Sequence, residues 1–320
     1  MTPSASDFYQ RVNARHAAPL WEVLAGLVTP EPRPVCEPAL WRYTEMRELL
    51  VEAGGFISAR DAERRVLVLE NPKMSGMSRA TDSLYAGLQL VLPGEIAPSH
   101  RHTASALRFV IESDAGYTVV DGEKVAMSRG DFVITPSWSW HDHGNPGTSP
   151  VIWLDVLDMH LVNLLACSFA ERDEREMQSQ THRASVSGQL PIFRYPYSQT
   201  RETLTGLAGN GPHPCHGIKM PYSNPVTGAH AMNTIGTFIQ LLPAGFHGQP
   251  YRATDSTLYC VVEGNGETRV GDQTFRWGPS DIFVAPSWFP VSHNVESEAV
   301  LFSASDRPVQ QALGLWREQT

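Results

Sequence analysis

Two stretches of the sequence decide the fold: GEIAPSHRH at residues 94–102 and GDFVITPSWSWHDHGN at residues 130–145. His100 and His102 are two residues apart, so on a β-strand they project from the same face and can converge on one ion. His141, in the second stretch, can complete the set from a neighbouring strand. Neutral imidazoles suit iron, zinc, copper, nickel or manganese, and three such ligands leave coordination positions open for chemistry. The sequence therefore predicts a reactive metal centre at these three histidines.

The spacing around these histidines is more informative than the histidines themselves. A His-x-His pair alone is more often an accident of a strand end. The full pattern, Gly-x5-His-x-His followed by Gly-x5-Pro-x4-His-x3-Asn, resembles the two cupin motifs, which implies a small double-stranded β-helix, or jelly roll. Cupins usually place a Glu ligand shortly after the second histidine, where this chain has Ala106 and Leu107. Without that carboxylate a divalent ion keeps its full charge, which favours a chelating anionic substrate.

The strand-rich region occurs twice in the chain. Residues 131–133 and 136–138 recur as residues 281–283 and 286–288, a constant shift of 150 positions. Short runs of Val, Ile, Leu and aromatic residues, separated by Gly, Pro and Asp, predict antiparallel strands in both copies. The second copy replaces the three histidines with Pro250, Arg252 and Val291. We therefore expect a mainly β bicupin in which only the first barrel binds metal and the second is structural.

Helical segments are predicted at the beginning of the chain. Apolar residues at helical spacing predict a helix over residues 7–28, interrupted at Pro19, and another over residues 44–53. The predicted parts are an N-terminal helical and extended segment (1–75), cupin 1 (76–160), a helix and connector (161–225), cupin 2 (226–308) and a C-terminal helix (309–320).

The sequence also predicts the structure of the segments that follow each copy. Residues 161–177 are predicted to be helical, residues 181–224 to be an irregular connector, and residues 309–318 to be a short closing helix. The connector is long for a compact protein, so we expect part of it to cover a site or to contact another subunit. Its His213, Cys215 and His216 have the composition of a metal site but no matching partners, which favours an ordinary loop.

Composition narrows the class of protein. The 320 residues are 42% hydrophobic and 18% charged, as in an ordinary globular enzyme. A formal net charge of -9 gives no electrostatic reason to bind nucleic acid or an anionic membrane. The first thirty residues show no hydrophobic signal region. The four cysteines are far apart in sequence, which favours free thiols and a cytoplasmic location.

One family shares these features. Residues 135–145, continuing to Trp153-Leu154-Asp155, resemble the gentisate 1,2-dioxygenase family, as do residues 64–67 and the inactive second copy. Salicylate and 1-hydroxy-2-naphthoate dioxygenases are close relatives within it. The resemblance implies Fe(II) held by the three histidines, with the substrate bound through its carboxylate and ortho hydroxyl. It further implies ring cleavage by O2 between the carboxyl- and hydroxyl-bearing carbons, maleylpyruvate as the product from gentisate, and a homotetramer.

The resemblance also implies further site residues: Tyr85, Gln89, Arg108, His143 and Asp155. Arg108 would hold the substrate carboxylate, and His143 would hydrogen-bond the substrate or oxygen and move a proton. Asp155 would orient a histidine, and Tyr85 with Gln89 would line the substrate site. Each has a structural alternative: a rim salt bridge for Arg108, a strand-end turn for Asp155, and interior hydrogen bonds for Tyr85 and Gln89. His143 recurs as His293 in the second copy, which gives it a structural alternative, whereas the resemblance favours a functional role for Arg108 and His143.

Two alternative functions stay open at this point. One is the same chemistry on salicylate, a 5-nitro or 5-halo salicylate, or 1-hydroxy-2-naphthoate. The other belongs to a different class, a cupin that binds or isomerises a ligand without using oxygen. Oxygen uptake separates the second from the rest.

Overall fold

The computed structural model describes residues 4–175, 177–179 and 194–320. The chain forms two compact units, one ending at Arg33 and one comprising Pro34–Thr320. The helices of the described ranges are α1 (Ala5–Asn13), α2 (Leu20–Leu27), α3 (Tyr43–Gly54), α4 (Met159–Leu164), α5 (Tyr197–Leu207) and α6 (Arg307–Ala312), with 3-10 turns at Pro72–Met74 and Ala208–Asn210. None of these helices has the length and apolar composition needed to cross a bilayer.

The strands fall into two successive groups. The first group is β1 (Ala39–Trp41), β2 (Val66–Val68), β3 (Tyr85–Val91), β4 (Ile96–His102), β5 (Ala106–Glu112), β6 (Tyr117–Val120), β7 (Glu123–Ala126), β8 (Phe132–Thr135), β9 (His141–Gly144), β10 (Val151–Leu157), β11 (Ala170–Arg172) and β12 (Arg194–Tyr195). The second group is β13 (Ile218–Pro221), β14 (Gly236–Leu242), β15 (Arg252–Ala253), β16 (Thr257–Glu263), β17 (Gly266–Val270), β18 (Gln273–Trp277), β19 (Ile282–Ala285), β20 (Val291–Asn294), β21 (Ala299–Ser305) and β22 (Glu318–Gln319).

These strands build two jelly-roll barrels, so the predicted bicupin fold is confirmed. The first barrel pairs a sheet of order β12-β8-β5-β10-β3-β2 with one of order β11-β4-β9-β6-β7. The second contains a sheet of order β1-β19-β16-β21-β14-β13 together with the smaller sheets β18-β17-β20 and β15-β22. Strand β1 precedes the first barrel in sequence but pairs with β19 of the second, which ties the two barrels together.

Successive residues of each strand point to opposite faces of the sheet, so one face packs in the core shared by the barrels and the other faces the barrel interior. On β5, Leu107, Phe109 and Ile111 belong to the large core shared by the two barrels, whereas Val110 packs inside the first barrel. Arg108 has the same parity as Val110 and therefore faces the barrel interior. Phe109 stacks on Phe302 of the second barrel with ring centroids 4.2 Å apart. The packed outer faces thus hold the inward faces in fixed positions.

The N-terminal helices agree with the sequence, since α1 and α2 are separated at Pro19. The helix predicted over residues 161–177 is wrong after Leu164. Ala166 adopts a positive φ of 54°, which ends the helix, and residues 170–172 form β11 along the edge of β4. Without β11, the edge of β4 would have backbone N–H and C=O groups with no strand partner. An extended segment can pair with these groups, whereas a helix cannot.

Two further expectations need correction. The connector predicted over residues 181–224 contains α5, which buries Thr200 and Leu204, and β13; residues 180–193 lie outside the described residues. The closing helix predicted over residues 309–318 begins earlier and ends at Ala312. Gly314 has a positive φ of 71°, and the chain continues as β22, paired with β15.

Candidate metal centre and active site

Strands β4 and β9 bring the three predicted ligands together. His100 and His141 are register partners in this antiparallel pair, and His102 lies two residues further along β4. The ring centroids are 4.1 Å apart for His100 and His141, 4.9 Å for His102 and His141, and 5.2 Å for His100 and His102. One nitrogen from each ring lies within 4.8 Å of the others, an arrangement that can hold a metal ion.

Backbone carbonyls orient two of the rings. His102 Nδ1 lies 2.7 Å from the Ala104 carbonyl oxygen, and His141 Nδ1 lies 2.9 Å from the Ser139 carbonyl oxygen. A carbonyl accepts only, so each Nδ1 carries the proton and donates it. Nε2 then keeps its lone pair free for a cation, which is the usual arrangement at histidine metal sites.

Burial also keeps the triad in its ligand form. It lowers the pKa of His100 to about 2, with further lowering by the nearby Arg64 guanidinium and His102. Burial lowers the pKa of His102 and takes the pKa of His141 well below its ordinary value. All three imidazoles are therefore neutral at pH 7, the protonation state that binds a metal cation.

A half-open cavity of about 330 Å³ adjoins the triad, at the small end of the range for ligand sites. Tyr85, Gln89, Arg108 and Asp155 line it together with the three histidines. Gln89 is 2% exposed, and its Nε2 has no hydrogen-bond partner among the described residues. The apolar part of the lining includes Leu157, Met159 and Phe169. The cavity combines an apolar wall with buried polar groups that a ligand could satisfy.

Arg108 and Asp155 form a buried ion pair at the cavity wall. Arg108 is 3% exposed, with its Nε 3.7 Å from Asp155 Oδ1. The guanidinium also contacts Thr135 Oγ1, and one terminal nitrogen lies 3.2 Å from His143 Nε2. Burial raises the pKa of Asp155 to about 6, opposed by the Arg108 charge. Arg108 is thus no rim salt bridge, and Asp155 contacts this arginine rather than a histidine ring.

His143 lies deeper than the residues that line the cavity. It is fully buried, with its ring centroid 5.8 Å from that of His141 and 5.1 Å from that of Trp153. Its Nδ1 has no hydrogen-bond partner among the described residues. The structure therefore places His143 behind Arg108, one step removed from the cavity surface.

Arg64 is a site residue that the sequence reasoning did not single out. Its side chain lines the cavity, contacts His100 Nδ1 and donates to the Pro98 carbonyl at 2.8 Å. The neighbouring Arg65 anchors the backbone through a buried ion pair with Glu95. Burial and the proximity of Arg108 lower the pKa of Arg64 to about 9. The sequence signal was that Arg64 begins the segment 64–67, which resembles the family; in the structure this segment leads into β2, whose Val66 pairs with Gln89 on β3.

The residue between the two ligands on β4 is clamped on the opposite face. The Arg101 guanidinium lies 4.4 Å from the ring centroid of Trp138 and 4.7 Å from that of Trp140. Its Nε and a terminal nitrogen donate to Glu171 on β11 at 2.9 and 2.6 Å. We call these four residues the Arg101 clamp. Because Arg101 is flanked by His100 and His102, the clamp fixes the strand that carries both ligands.

The second barrel has no equivalent centre in the part of the chain that the structure describes, where one group of potential metal ligands is found. His293, the counterpart of His143, is buried, with Nδ1 2.8 Å from Thr268 Oγ1. His213 and His216 stack at 4.9 Å in a turn, with Cys215 buried beside them. This turn does not assemble a metal site.

We expect His141→Ala to lose the bound metal, because two imidazoles hold an ion poorly. The matched His293→Ala variant should keep the wild-type metal content. Elemental analysis of the purified proteins measures both. Full metal occupancy in the His141 variant would refute the ligand assignment, and equal loss in the His293 variant would show metal in the second barrel.

We expect Arg101→Met to speed metal loss to a chelator by about tenfold, since residues that support metal ligands typically contribute 10–100-fold to affinity. Arg252→Met is the matched control, because Arg252 lies 4.7 Å from the Trp288 ring in the second barrel. Stopped-flow release of the metal, with thermal unfolding alongside, separates ligand positioning from overall stability. Equal release rates in both variants would contradict the assignment.

Comparison with known proteins places this geometry in context. A family model described as "Cupin domain" matches residues 87–157. The chain is 50% identical over 336 aligned residues to gentisate 1,2 dioxygenase 1 of Aquipseudomonas alcaligenes, covering 99% of this chain and 97% of that protein. It is 37% identical to 5-aminosalicylate 1,2-dioxygenase of Comamonas sp, covering 94% and 86%.

Solved structures give the same result. A mutant of salicylate 1,2-dioxygenase from Pseudoaminobacter salicylatoxidans, crystallised with gentisate, superposes with a TM-score of 0.92 at 30% identity. The match covers 99% of this chain and 95% of that one. The likeness therefore extends over both barrels.

Proposed function

This chain belongs to the gentisate 1,2-dioxygenase family of ring-cleaving dioxygenases, and from that premise we propose that it opens gentisate with Fe(II) to give maleylpyruvate. The bond broken joins the carboxyl-bearing and hydroxyl-bearing ring carbons, and both atoms of O2 enter the product. The observation that carries the proposal is a neutral histidine triad beside the buried Arg108 and the half-buried Arg64 guanidinium groups in one cavity. That arrangement suits a chelating aromatic acid.

The donor set fits iron without singling it out, since three neutral nitrogens also suit other divalent metals. When bound by His100, His102 and His141, Fe(II) supplies the redox chemistry that couples dioxygen to an electron-rich ring. The family relationship supports iron among the candidates. The remaining work belongs to the side chains around the cavity.

Arg64 and Arg108 hold the substrate carboxylate in this proposal. Both guanidinium groups line the cavity beside the triad, with Asp155 as the carboxylate that balances Arg108. A charge-assisted contact from a planar guanidinium fixes both the position and the plane of a carboxylate. The substrate ring is thereby oriented before reaction, which lowers the entropic part of the barrier.

Gln89, Tyr85 and His143 complete the proposed site. The unpartnered Gln89 Nε2 donates to a substrate oxygen, and Tyr85 lines the ring pocket from the same face of β3. His143 supports Arg108 through Nε2, and its unpartnered Nδ1 can hold a proton during the reaction. The apolar part of the lining, which includes Leu157, Met159 and Phe169, limits the access of water to the bound ring.

Some relatives are named for other aromatic acids, which are therefore alternative substrates for the same reaction. One relative at 37% identity is a 5-aminosalicylate dioxygenase, and one at 36% is a 1-hydroxy-2-naphthoate dioxygenase. The relative at 50% identity, a gentisate dioxygenase, supports gentisate as the leading substrate. We further propose a homotetramer in the cytoplasm, in keeping with the free state of all four cysteines.

The proposal predicts oxygen uptake by the iron-loaded enzyme with gentisate, together with the strong near-ultraviolet absorbance of the ring-opened product. A panel of salicylate, 5-amino, 5-nitro and 5-halo salicylates and 1-hydroxy-2-naphthoate is assayed in parallel by kcat/KM. Faster turnover of another member of the panel would replace gentisate as the substrate. No uptake with any of these acids, at full iron occupancy, would reject iron-dependent ring cleavage.

The pKa of Asp155 predicts a pH dependence. Burial raises this pKa to about 6, so the carboxylate that balances Arg108 is ionised above pH 6 and protonated below it. We expect kcat/KM to fall below about pH 6, and Asp155→Asn to lower kcat/KM about tenfold at pH 7.5, the factor for one charge-assisted contact. In the Asp155→Asn variant, kcat/KM should no longer fall below about pH 6. If the same fall persisted in the variant, a group other than Asp155 would cause it.

A further inference from the structure

The second barrel keeps a counterpart of the substrate cavity, with a different lining. Strand β13 pairs with β14 as β2 pairs with β3, so Lys219 lies opposite Gln240 as Val66 lies opposite Gln89. Lys219 therefore takes the place of Val66, which lines the first cavity. An apolar wall residue of the first barrel has been replaced by a cation in the second.

The second cation of this cavity, Arg307, lies on the helix that follows the second barrel. Helix α6 begins at Arg307 as α4 begins at Met159, immediately after the last long strand of its barrel. Arg307 and Lys219 line one cavity of about 20 Å³ together with Tyr251, Asp255 and Tyr259. This is room for one small group, since a single water requires about 10–15 Å³.

The two cations of this cavity share one ion pair among the described residues. Asp255 pairs with Arg307 at 3.2 Å and also accepts from Trp316 Nε1 at 2.9 Å. Lys219 forms no ion pair within the described residues, and its Nζ lies 4.8 Å from the Phe238 ring centroid. Burial, with a smaller effect of Arg307, lowers the pKa of Lys219 to about 8, so it remains largely charged at pH 7. The exposed Glu318 carboxylate accepts from Tyr251 and acts on Lys219 through space, without forming an ion pair with it.

Polar groups without partners lie on the same inward face. Gln240 is 1% exposed, and neither its amide nitrogen nor its amide oxygen has a hydrogen-bond partner among the described residues. Ser303 is fully buried with an equally unpartnered Oγ, and it lies opposite Tyr259, which lines the cavity. Buried groups of this kind ordinarily have a partner, because leaving them without a hydrogen bond destabilises the fold.

We propose that the second barrel binds one small monovalent anion, a halide or the carboxylate head of a small acid, between Lys219 and Arg307. The anion pairs with Lys219, which has no ion pair among the described residues. Gln240 and Ser303 supply unpartnered polar groups on the same inward face without lining the cavity. The anion therefore occupies the counterpart of the first barrel's substrate cavity, at the positions of Val66 and Met159 rather than at the position of the triad. The inference does not depend on ring cleavage.

The test is the thermal unfolding of the metal-loaded full-length protein in sodium gluconate, titrated with sodium bromide or sodium formate at constant ionic strength. We expect a saturable rise in Tm of about 5 °C at a hundredfold excess over Kd. Saturation by bromide alone identifies a halide site, and saturation by formate identifies a carboxylate site. No saturable rise with either anion overturns the proposal.

Variants assign the effect to one barrel. Lys219→Met should abolish the rise and keep gentisate turnover within about threefold, whereas Lys124→Met, at an exposed lysine 3.9 Å from the Tyr117 ring, should retain it. Arg108→Met should also retain it. If the anion-dependent rise in Tm were lost in the Arg108 variant and retained in the Lys219 variant, the anion would lie in the first barrel and the proposal would be overturned.

Crystals of the wild-type protein soaked in bromide give a measurement that requires no variant. An anomalous peak is expected beside Lys219 Nζ and Arg307. If bromide raises the Tm, bromide peaks elsewhere in the crystal with none at this position would overturn the proposal, even if Lys219→Met failed to fold. If only formate raises the Tm, the same test applies to formate density in crystals soaked in formate.

Discussion

The pairing of β4 with β9 determines the chemistry of this protein. Because His100 and His141 are register partners, and His102 follows at the strand period of two, three imidazoles meet at one point. A shift of one residue would turn the ligand set of a strand to its opposite face. Strand β11 and the Arg101 clamp hold β4 from its outer edge, so the ligand geometry is fixed by backbone pairing and by packing together.

The two barrels show how one scaffold supports different chemistry. Their outer sheets pack through a shared core in which Phe109 stacks on Phe302, and this contact tolerates little change in either copy. The inward residues are free to differ, since they do not contribute to that core. The three histidines of the first barrel correspond to Pro250, Arg252 and Val291 in the second. Val66 corresponds to Lys219. Among the described residues, the duplication thus keeps the shared core in both barrels and a group of potential metal ligands in the first.

The fold and the centre of the site could be predicted from the sequence because both depend on local spacing. Strand alternation, the 150-residue repeat and the histidine pattern are visible without any knowledge of tertiary contacts. The family resemblance is confirmed over nearly the full chain. Arg64 was missed because its position depends on the Arg65–Glu95 ion pair and on the course of a loop. The partner of Asp155 and the end of the helix at Leu164 depend on neighbouring strands in the same way.

The central claim is that the triad and the two guanidinium groups act on one bound aromatic acid. An anaerobic crystal structure of the iron-loaded enzyme with gentisate tests it most directly. The account predicts iron at His100, His102 and His141, with the gentisate carboxylate within hydrogen-bond distance of Arg64 or Arg108. Gentisate bound outside the 330 Å³ cavity, or with its carboxylate directed away from both arginines, would contradict it.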